Sequence, residues 1–282
     1  MKNTVLVTGA TGNVGSEVAR SLKSTVTDIR AAITNVKDVD RVEKGIRTVL
    51  LDFENPATFA TALTDINKVF LIRPPQMGDP KQLYPFIDAC KAADVKHIVF
   101  LSLLGVQHNP LAPHGYIEKH IIKSGIPYTL LRPSFFMQNL STTHLQDIVK
   151  HNEIFVPAGK GKTSFIDVRD IASVAAKILS EAGPTNNAYE LTGAEALNYY
   201  EVSDILSQVT GRKINYTNPP SGVFGRRMLS EGFPKAFVTV MKGIYLVAKL
   251  RLAGKVTDDF ETIMGRQPIT FLQFAKDNRN KF

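Results

Sequence analysis

The chain contains little cysteine, no tryptophan and no long uninterrupted apolar run. Its 282 residues include one cysteine, so a disulfide within the chain is excluded. The most apolar region, residues 237–252, is broken by Lys242, Lys249 and Arg251, and no membrane-spanning helix is expected there. The first residues also lack the basic start and long apolar core of a secretory signal. These absences together predict a cytoplasmic protein.

The sequence also lacks clustered metal ligands and any recognised nucleic-acid-binding motif. Its six histidines are scattered without metal-ligand spacing, so no metal is expected. The formal net charge is +8, and residues 212–282 carry the whole surplus, with 13 Lys and Arg against 5 Asp and Glu. These cations alternate with large apolar residues, as in a packed amphipathic helix, so no nucleic-acid partner is expected. The basic face is interpreted as a solvated surface, with an acidic ligand, a phosphorylated cofactor or a membrane surface as alternatives.

Apolar runs alternate with helix-sized amphipathic segments through the first half of the chain. The strand-like runs are residues 4–8, 29–34, 47–52, 68–72, 97–102 and 127–132. Runs that are rich in Val, Ile and Leu throughout are typical of parallel strands covered on both faces. The alternation predicts an α/β fold with a Rossmann-type, doubly wound parallel sheet over residues 1–152.

The alternation becomes irregular after residue 152. Residues 153–282 are expected to form a smaller C-terminal α/β lobe, partly interleaved with the Rossmann sheet, with a substrate cleft between the two parts. Asp167 and Asp170 in "FIDVRDIA" resemble a pair of acid–base carboxylates. Asp170 precedes a helical apolar pattern, however, so it is interpreted as a helix N-cap and the pair is rejected as catalytic.

The stretch "VLVTGATGNVGSEVARSL", residues 5–22, places three glycines between a strand and a helix. This context predicts a dinucleotide-binding loop. Gly9 would allow a sharp turn, Gly12 a close approach of the pyrophosphate and Gly15 close helix–strand packing. Backbone N–H groups at the helix start would meet the negative charge. The predicted cofactor contacts here are Gly9, Thr11, Gly12, Asn13, Val14 and Gly15.

The end of the second predicted strand, "ITNVKD", bears on the choice of cofactor. NAD-binding domains place an Asp or Glu at this strand end to accept hydrogen bonds from the ribose. Here the strand ends in Thr34 and Asn35, and Lys37 follows. Lys37 offers a cation to a 2′-phosphate. NADP(H) is therefore preferred, and NAD(H) is the alternative if Lys37 is an ordinary surface lysine.

The chain resembles the NmrA-like, atypical short-chain dehydrogenase/reductases over nearly its whole length. The resemblance lies in "VTGATGNVG", "GVQHNPLAPHGYIEKHIIKSGIPYTLLRPSFFMQN", "FIDVRDIASVAAKIL", "AYELTG" and "TDDFETIMGRQPITFLQFAKDN". It implies a Rossmann domain that binds NADP(H) and a small C-terminal lobe. It also implies that Asp52 and Phe53 lie near the adenine, and that Arg73 and Pro74 lie near the ribose and pyrophosphate.

Ordinary short-chain dehydrogenases place a Tyr and a Lys four residues apart, whereas here Tyr116 is followed by His120. The helical repeat instead turns His114, Glu118, Ile121 and Ile122 toward one face, which is expected to be buried. His114 is a candidate proton donor or relay, with Glu118 orienting its ring and raising its basicity. A structural hydrogen bond between His114 and Glu118 is an equal alternative.

Two further groups of residues end predicted strands at the edge where parallel sheets bind ligands. Ser102 is expected to line the nicotinamide pocket, with a helix-capping or loop role as the alternative. In "LRPSFFMQN", Phe135 and Phe136 are candidates for stacking on an aromatic substrate, and Asn139 for holding a carbonyl. Plain core packing is the alternative for these two aromatic residues.

Two functions follow from these features and from the resemblance. The first is an NAD(P)H-dependent oxidoreductase that transfers hydride to a small aromatic, quinone-like, azo, dye-like or imine acceptor. The missing Tyr–Lys pair fits this chemistry, because a quinone oxygen accepts charge without a strong acid. The alternative is a non-catalytic NADP(H)-binding redox sensor that acts on a protein partner through basic residues 226–255.

Overall fold

The computed structural model describes residues 4–26, 28–110, 112–183 and 185–282. The chain divides into two compact units, each assembled from two stretches of sequence. The first unit contains the described residues up to Pro133 together with Val168–Leu191. The second unit contains Ser134–Asp167 and Thr192–Phe282.

The first unit is built on a parallel sheet. The strands of the described chain are β1 (Thr4–Val7), β2 (Asp28–Ile33), β3 (Arg47–Leu50), β4 (Lys68–Ile72), β5 (His97–Leu101), β6 (Tyr128–Pro133), β7 (Glu153–Ile154), β8 (Asn187–Leu191) and β9 (Asn215–Tyr216). Seven of them form one sheet in the order β3-β2-β1-β4-β5-β6-β8, and every neighbouring pair is parallel. The prediction of a doubly wound parallel sheet is confirmed.

Helices pack on the sheet and cover its central strands. The helices are α1 (Asn13–Leu22), α2 (Phe59–Leu63), α3 (Tyr84–Ala92), α4 (Pro113–Ser124), α5 (Leu145–His151), α6 (Val168–Ser180), α7 (Tyr199–Thr210), α8 (Ser221–Ser230), α9 (Lys235–Lys249), α10 (Asp259–Met264) and α11 (Phe271–Asp277). All residues of β1 and β5 are buried. Helix α1 packs against α6.

The order of the strands creates a switch point between β1 and β4. From β1 the chain moves outward through β2 and β3, and it then returns to start β4 on the other side of β1. Ligands of open α/β sheets bind beside the carboxyl ends of the strands at such a point. A ligand-binding site is therefore expected at the loops after β1 and β4.

Helix α6 corrects the expectation for Asp170. The helix begins at Val168, so Asp170 lies in its first turn rather than ahead of it. The buried series starts at Val168 and continues at Ile171 and Ala175, which carries the helix three residues further toward the N-terminus than expected. Strand β8, from the motif "AYELTG", joins the main sheet beside β6.

The second unit combines a small parallel pair of strands, β7 and β9, with helices that include α7, α8 and α9. Its core is rich in aromatic rings: Tyr245 packs edge-on against both Tyr199 and Phe224. None of the helices in the described residues is both long and apolar enough to cross a membrane.

Candidate functional site

The loop after β1 turns sharply at Gly9. This residue has a φ of +63°, a conformation that glycine adopts at little cost and other residues rarely adopt. The N–H of Gly12 donates to the carbonyl oxygen of Gly9 at 2.9 Å, and the N–H of Ser16 donates to that of Gly12 at 3.1 Å. The chain therefore passes from strand to helix within a few residues.

Gly15 lets α1 start directly against the end of β1. A Cβ atom at this position would lie 2.2 Å from the carbonyl oxygen of Gly9 and 2.9 Å from that of Thr8. No side chain fits such a space, because real Cβ contacts are essentially never shorter than 3.0 Å. The helix start is thereby fixed at the switch point.

The start of α1 presents polar backbone to solvent. Gly12 is the exposed N-cap and makes no side-chain hydrogen bond to the helix, so the first N–H groups are not capped. Asn13 is exposed, Thr11 is partly buried, and Val14 points its side chain into the core. Uncapped N–H groups at a helix N-terminus attract an anion, so this loop fits a pyrophosphate.

The end of β2 is polar and exposed. Thr34, Asn35 and Lys37 are all exposed in this unit. The side-chain oxygen of Asn35 accepts a hydrogen bond from the backbone N–H of Lys37 at 3.0 Å. Asn35 thereby caps a short 3-10 helix, Val36–Arg41, and its amide nitrogen is the group that can still meet a ligand.

Arg41 is a candidate that the sequence analysis missed. Its Nη2 lies 3.4 Å from the carbonyl oxygen of Thr11, and its Nη1 lies 3.0 Å from a carboxylate oxygen of Asp38. Its side chain is 62% exposed. The six residues of Val36–Arg41 make about two turns of 3-10 helix, which bring this arginine back to the glycine loop. The spacing of residues after a strand does not reveal that Arg41 lies close to the glycine loop.

The loop after β4 approaches the same place. The Thr8 hydroxyl accepts a hydrogen bond from the N–H of Ile72 at 2.8 Å, which ties the ends of β1 and β4 together. Arg73 follows directly. Its Nη2 donates to the carbonyl oxygen of Met77, while its Nε is buried and has no hydrogen-bond partner among the described residues. Burial lowers the pKa of this guanidinium. Pro74 is partly buried beside it.

Asp52 and Phe53 follow β3. The Asp52 carboxylate accepts a hydrogen bond from the N–H of Glu54 at 2.9 Å. The Phe53 ring packs edge-on against Phe86, with the centroids 5.1 Å apart, so much of this side chain belongs to the core. Both residues are partly exposed, and their contact with an adenine stays a prediction.

Glu118 is the centre of a buried polar cluster. Its carboxylate accepts two hydrogen bonds from Arg132, Nε to Oε1 at 3.0 Å and Nη2 to Oε2 at 2.7 Å. The Ser102 hydroxyl donates to Oε1 at 2.6 Å. Glu118 and Ser102 are each 5% exposed. This cluster joins α4, β6 and the residue after β5.

His114 does not share this cluster in the expected way. Its Nδ1 is buried and has no hydrogen-bond partner in the described structure. Burial, together with the positive charge of Arg73, lowers the pKa of His114 to about 4. The expectation that Glu118 orients the His114 ring and raises its basicity is therefore wrong. The carboxylate is instead engaged by Arg132 and Ser102, which lie on other elements.

The inward face of α4 also differs by one position from the expectation. Ile117, Glu118 and Ile121 are buried, whereas Ile122 is 48% exposed. Around the helix, His114 lies between Ile121 and Glu118, within this buried face. It is partly buried as a residue, and its Nδ1 is covered.

Phe135, Phe136 and Asn139 lie in the second unit. The Phe135 ring packs edge-on against Phe165 at 6.4 Å, and its backbone carbonyl accepts from the N–H of Ile166 at 2.9 Å. Phe136 and Asn139 are partly exposed. The two phenylalanines therefore differ in their surroundings. Phe135 packs against the core of this unit, whereas Phe136 has no contact with another aromatic ring among the described residues.

A model of the NmrA-like family matches residues 1–260. The chain belongs to the NmrA-like family. Among its relatives is the NAD(P)H azoreductase of Xenophilus azovorans, which is 33% identical and aligns over 99% of each chain. The resemblance predicted from the sequence motifs is thus confirmed.

Solved structures agree with the fold as well as with the family. Citrobacter sp. triphenylmethane reductase complexed with NADP(H) matches with a TM-score of 0.87 and 25% identity, covering 98% of this chain and 99% of that one. The NADPH-dependent quinone oxidoreductase of Escherichia coli complexed with NADPH matches with a TM-score of 0.86 and 28% identity, covering 97% and 99%.

A metal site is a separate question. No group of three or more His, Cys, Asp or Glu side chains that could hold a metal ion occurs in the described residues. The polar groups at the strand ends also include hydroxyl, guanidinium and backbone N–H groups, which donate hydrogen bonds to anions and other acceptors.

Proposed function

We propose that the chain is an NAD(P)H-dependent reductase of quinone-like, azo or dye-like acceptors. The observation that carries the proposal is the loop at the switch point, where a Cβ on Gly15 would lie 2.2 Å from the Gly9 carbonyl oxygen. That close approach opens the start of α1 to a pyrophosphate. The relatives named above as an azoreductase, a dye reductase and a quinone oxidoreductase support the acceptor class.

The cofactor is NADP(H) in this proposal, with NAD(H) as a weaker substrate. The two solved relatives are complexed with NADP(H) and NADPH, which supports the assignment. The exposed cations Lys37 and Arg41 lie on the segment after β2, where the 2′-phosphate of such a cofactor binds in Rossmann domains. Arginine and lysine both form charge-assisted hydrogen bonds with phosphate.

The remaining cofactor contacts follow the path of the strand ends. The loop residues Gly9 to Gly15 hold the pyrophosphate through backbone N–H groups, with Thr11 and Asn13 as side-chain donors. Thr34 and Asn35 meet the adenosine ribose, and Asp52 and Phe53 meet the adenine. Arg73 offers its unpartnered Nε as a donor, and Pro74 limits the pocket beside it.

A bound nicotinamide supplies the hydride in such a reaction. The chain's own residues position the acceptor, and a quinone or azo acceptor also takes up one proton after the hydride. His114 is neutral at pH 7 because its pKa is about 4, so it carries one ring N–H and one lone pair. It acts as a hydrogen-bonding partner or proton relay rather than as an imidazolium acid. Hydride addition leaves a negative charge on the quinone oxygen that is stable enough for water to supply the proton.

Glu118 and Ser102 support this arrangement in different ways. Glu118 positions Arg132 and Ser102 through its three hydrogen bonds, so its contribution is to hold α4 on the sheet. Ser102 stands directly after β5, where it borders the nicotinamide pocket. In the second unit, Phe135 and Phe136 supply aromatic surface to a flat acceptor, and Asn139 hydrogen-bonds its carbonyl.

The test is the protein-dependent loss of NADPH absorbance with quinones, azo dyes and triphenylmethane dyes, with NADH run in parallel. Turnover should fall in Gly12→Ala, because a methyl group there occupies the exposed surface that meets the pyrophosphate. The fold should tolerate this change, since the added Cβ lies 3.4 Å from the nearest heavy atom. Gly183→Ala is the control, because a Cβ there meets nothing within 4 Å. Saturable NADPH binding without turnover on any acceptor would favour a redox sensor instead.

A further inference from the structure

Helix α9 has two apolar faces, and only one of them is covered. Its buried residues are Val238, Met241, Tyr245 and Ala248, which join the core of the second unit. The opposite side is exposed and also apolar. The exposed fractions there are 56% for Val240, 53% for Leu246, 39% for Val247 and 59% for Leu250, the residue that caps the helix.

The uncovered face carries no charge. At about 100° per residue, the positions opposite the buried face fill a sector of roughly 120°. That sector contains Ala236, Thr239, Val240, Gly243, Leu246, Val247 and Leu250. The apolar surface continues past the helix, where Leu252 is 69% exposed and Val256 is 45% exposed. A helix that is apolar on its outer side is typical of one that meets another apolar phase.

Cations line one flank of this face. Lys235, Lys242 and Lys249 are spaced seven residues apart and therefore lie in a row along the helix. None of the three pairs with a carboxylate in the described part of the chain. Residues 232–257 contain five Lys and Arg and no Asp or Glu. The segment thus combines uncovered apolar side chains with an excess of positive charge.

We propose that the uncovered face of α9 docks on an anionic lipid surface. The apolar side chains enter the boundary between headgroups and acyl chains, and the lysine row stays with the lipid phosphates. A second copy of this chain fits less well, because its own residues 232–257 bring lysines and no carboxylates to such an interface. The proposal concerns a surface of the second unit alone and does not depend on the reductase activity.

The test is co-sedimentation of the full chain with vesicles. Phosphatidylcholine vesicles should leave the protein in the supernatant, and equimolar phosphatidylcholine and phosphatidylglycerol should bring it down at low salt. Added NaCl should weaken the binding, because it screens the headgroup charge. Leu246→Ser/Leu250→Ser and Lys235→Glu/Lys242→Glu/Lys249→Glu should each reduce the bound fraction at least tenfold, with melting temperatures near that of the wild type.

Two matched controls separate this face from general stickiness and net charge. Lys91→Glu/Lys119→Glu/Lys123→Glu makes the same charge change on exposed lysines of the first unit. Ile122→Ser/Val149→Ser removes two other exposed apolar side chains, 48% and 43% exposed. Both controls should bind like the wild type. The proposal is overturned if the charge control loses binding equally, or if the wild type ignores phosphatidylglycerol vesicles. It is also overturned if light scattering shows a dimer that Leu246→Ser/Leu250→Ser converts to a monomer.

Discussion

Glu118 on α4 and Arg132 on β6 form a two-fold hydrogen-bonded ion pair, with N–O distances of 3.0 and 2.7 Å. The two side chains are 7% and 16% exposed. A buried carboxylate is stable only when its oxygens accept hydrogen bonds or pair with a cation. The Ser102 hydroxyl donates a third hydrogen bond to this carboxylate at 2.6 Å. Together these bonds fix the helix that carries His114 to β6 and to the residue after β5.

Removing one partner of this pair should destabilise the fold. Glu118→Ala leaves Arg132 buried without its counter-charge, and the free energy of unfolding should fall by about 3 kcal/mol. Urea denaturation measures the loss. Lys119→Ala on the exposed side of the same helix is the control and should change the free energy by less than about 0.5 kcal/mol.

The paired variant distinguishes structural from catalytic importance. Glu118→Leu/Arg132→Met removes both charges and should recover much of the stability, because an apolar pair of similar volume is often as stable as a buried ion pair. If it also recovers turnover, Glu118 serves only to position its neighbours. An unaltered free energy of unfolding in Glu118→Ala would contradict the structural role.

Local patterns in the sequence predicted the parts of the fold that depend on local physics. The six strand-like runs match β1 to β6 within two residues at each end. Gly9 and Gly15 have the conformation and the packing that their spacing predicted, because a positive φ and a missing Cβ are requirements of single positions. The family resemblance followed from motifs spread along the chain.

The polar contacts could not be predicted in the same way. Glu118 has a helical neighbour four residues away in His114, yet its partners are Ser102, directly after β5, and Arg132 on the neighbouring strand β6. An ionised carboxylate gains more from a guanidinium than from a neutral imidazole, so the tertiary contact prevails over the local one. Arg41 was missed for a similar reason, since about two turns of 3-10 helix carry it back to Thr11.

The proposed role of His114 makes a prediction for the pH dependence of activity. With a folded pKa of about 4, the ring does not change charge between pH 6 and pH 8. The kcat/KM for an acceptor without its own titratable group should therefore be flat over that range in the wild type. His114→Gln should lower kcat without introducing a new inflection. An inflection near pH 6.5 that disappears in His114→Gln would show that the imidazolium acts as the acid.

Acid should destabilise the fold through its buried histidines. Burial is the main reason why the pKa values of His97, His114 and His144 are lowered to about 4, whereas the pKa of an unfolded histidine is near 6.5. Between these values the unfolded chain binds more protons than the folded one, so stability is greatest above pH 6.5 and falls as the pH drops toward 4.

The size of this effect can be measured by urea denaturation at pH 7 and pH 5. Each of the three histidines should contribute on the order of 1–2 kcal/mol of the loss between these values. His114→Gln removes one such group, so it should reduce the difference between the two pH values even if it lowers stability at both. An equal pH difference in wild type and variant would mean that His114 titrates normally in the folded state.

Arg41 should determine the preference for the phosphorylated cofactor. Its guanidinium lies 3.4 Å from the Thr11 carbonyl oxygen, beside the loop proposed to hold the pyrophosphate, and it is exposed enough to meet a 2′-phosphate. A charge-assisted hydrogen bond contributes about 1.5–3 kcal/mol, so Arg41→Ser should weaken NADPH binding roughly tenfold or more. NADH lacks the 2′-phosphate, and its dissociation constant should stay unchanged.

Titration calorimetry with both nucleotides measures the two constants, and Lys44→Ser, an exposed cation three residues away, is the control. Equal weakening of NADPH and NADH by Arg41→Ser would instead assign this arginine to the shape of the glycine loop, because only the 2′-phosphate distinguishes the two ligands.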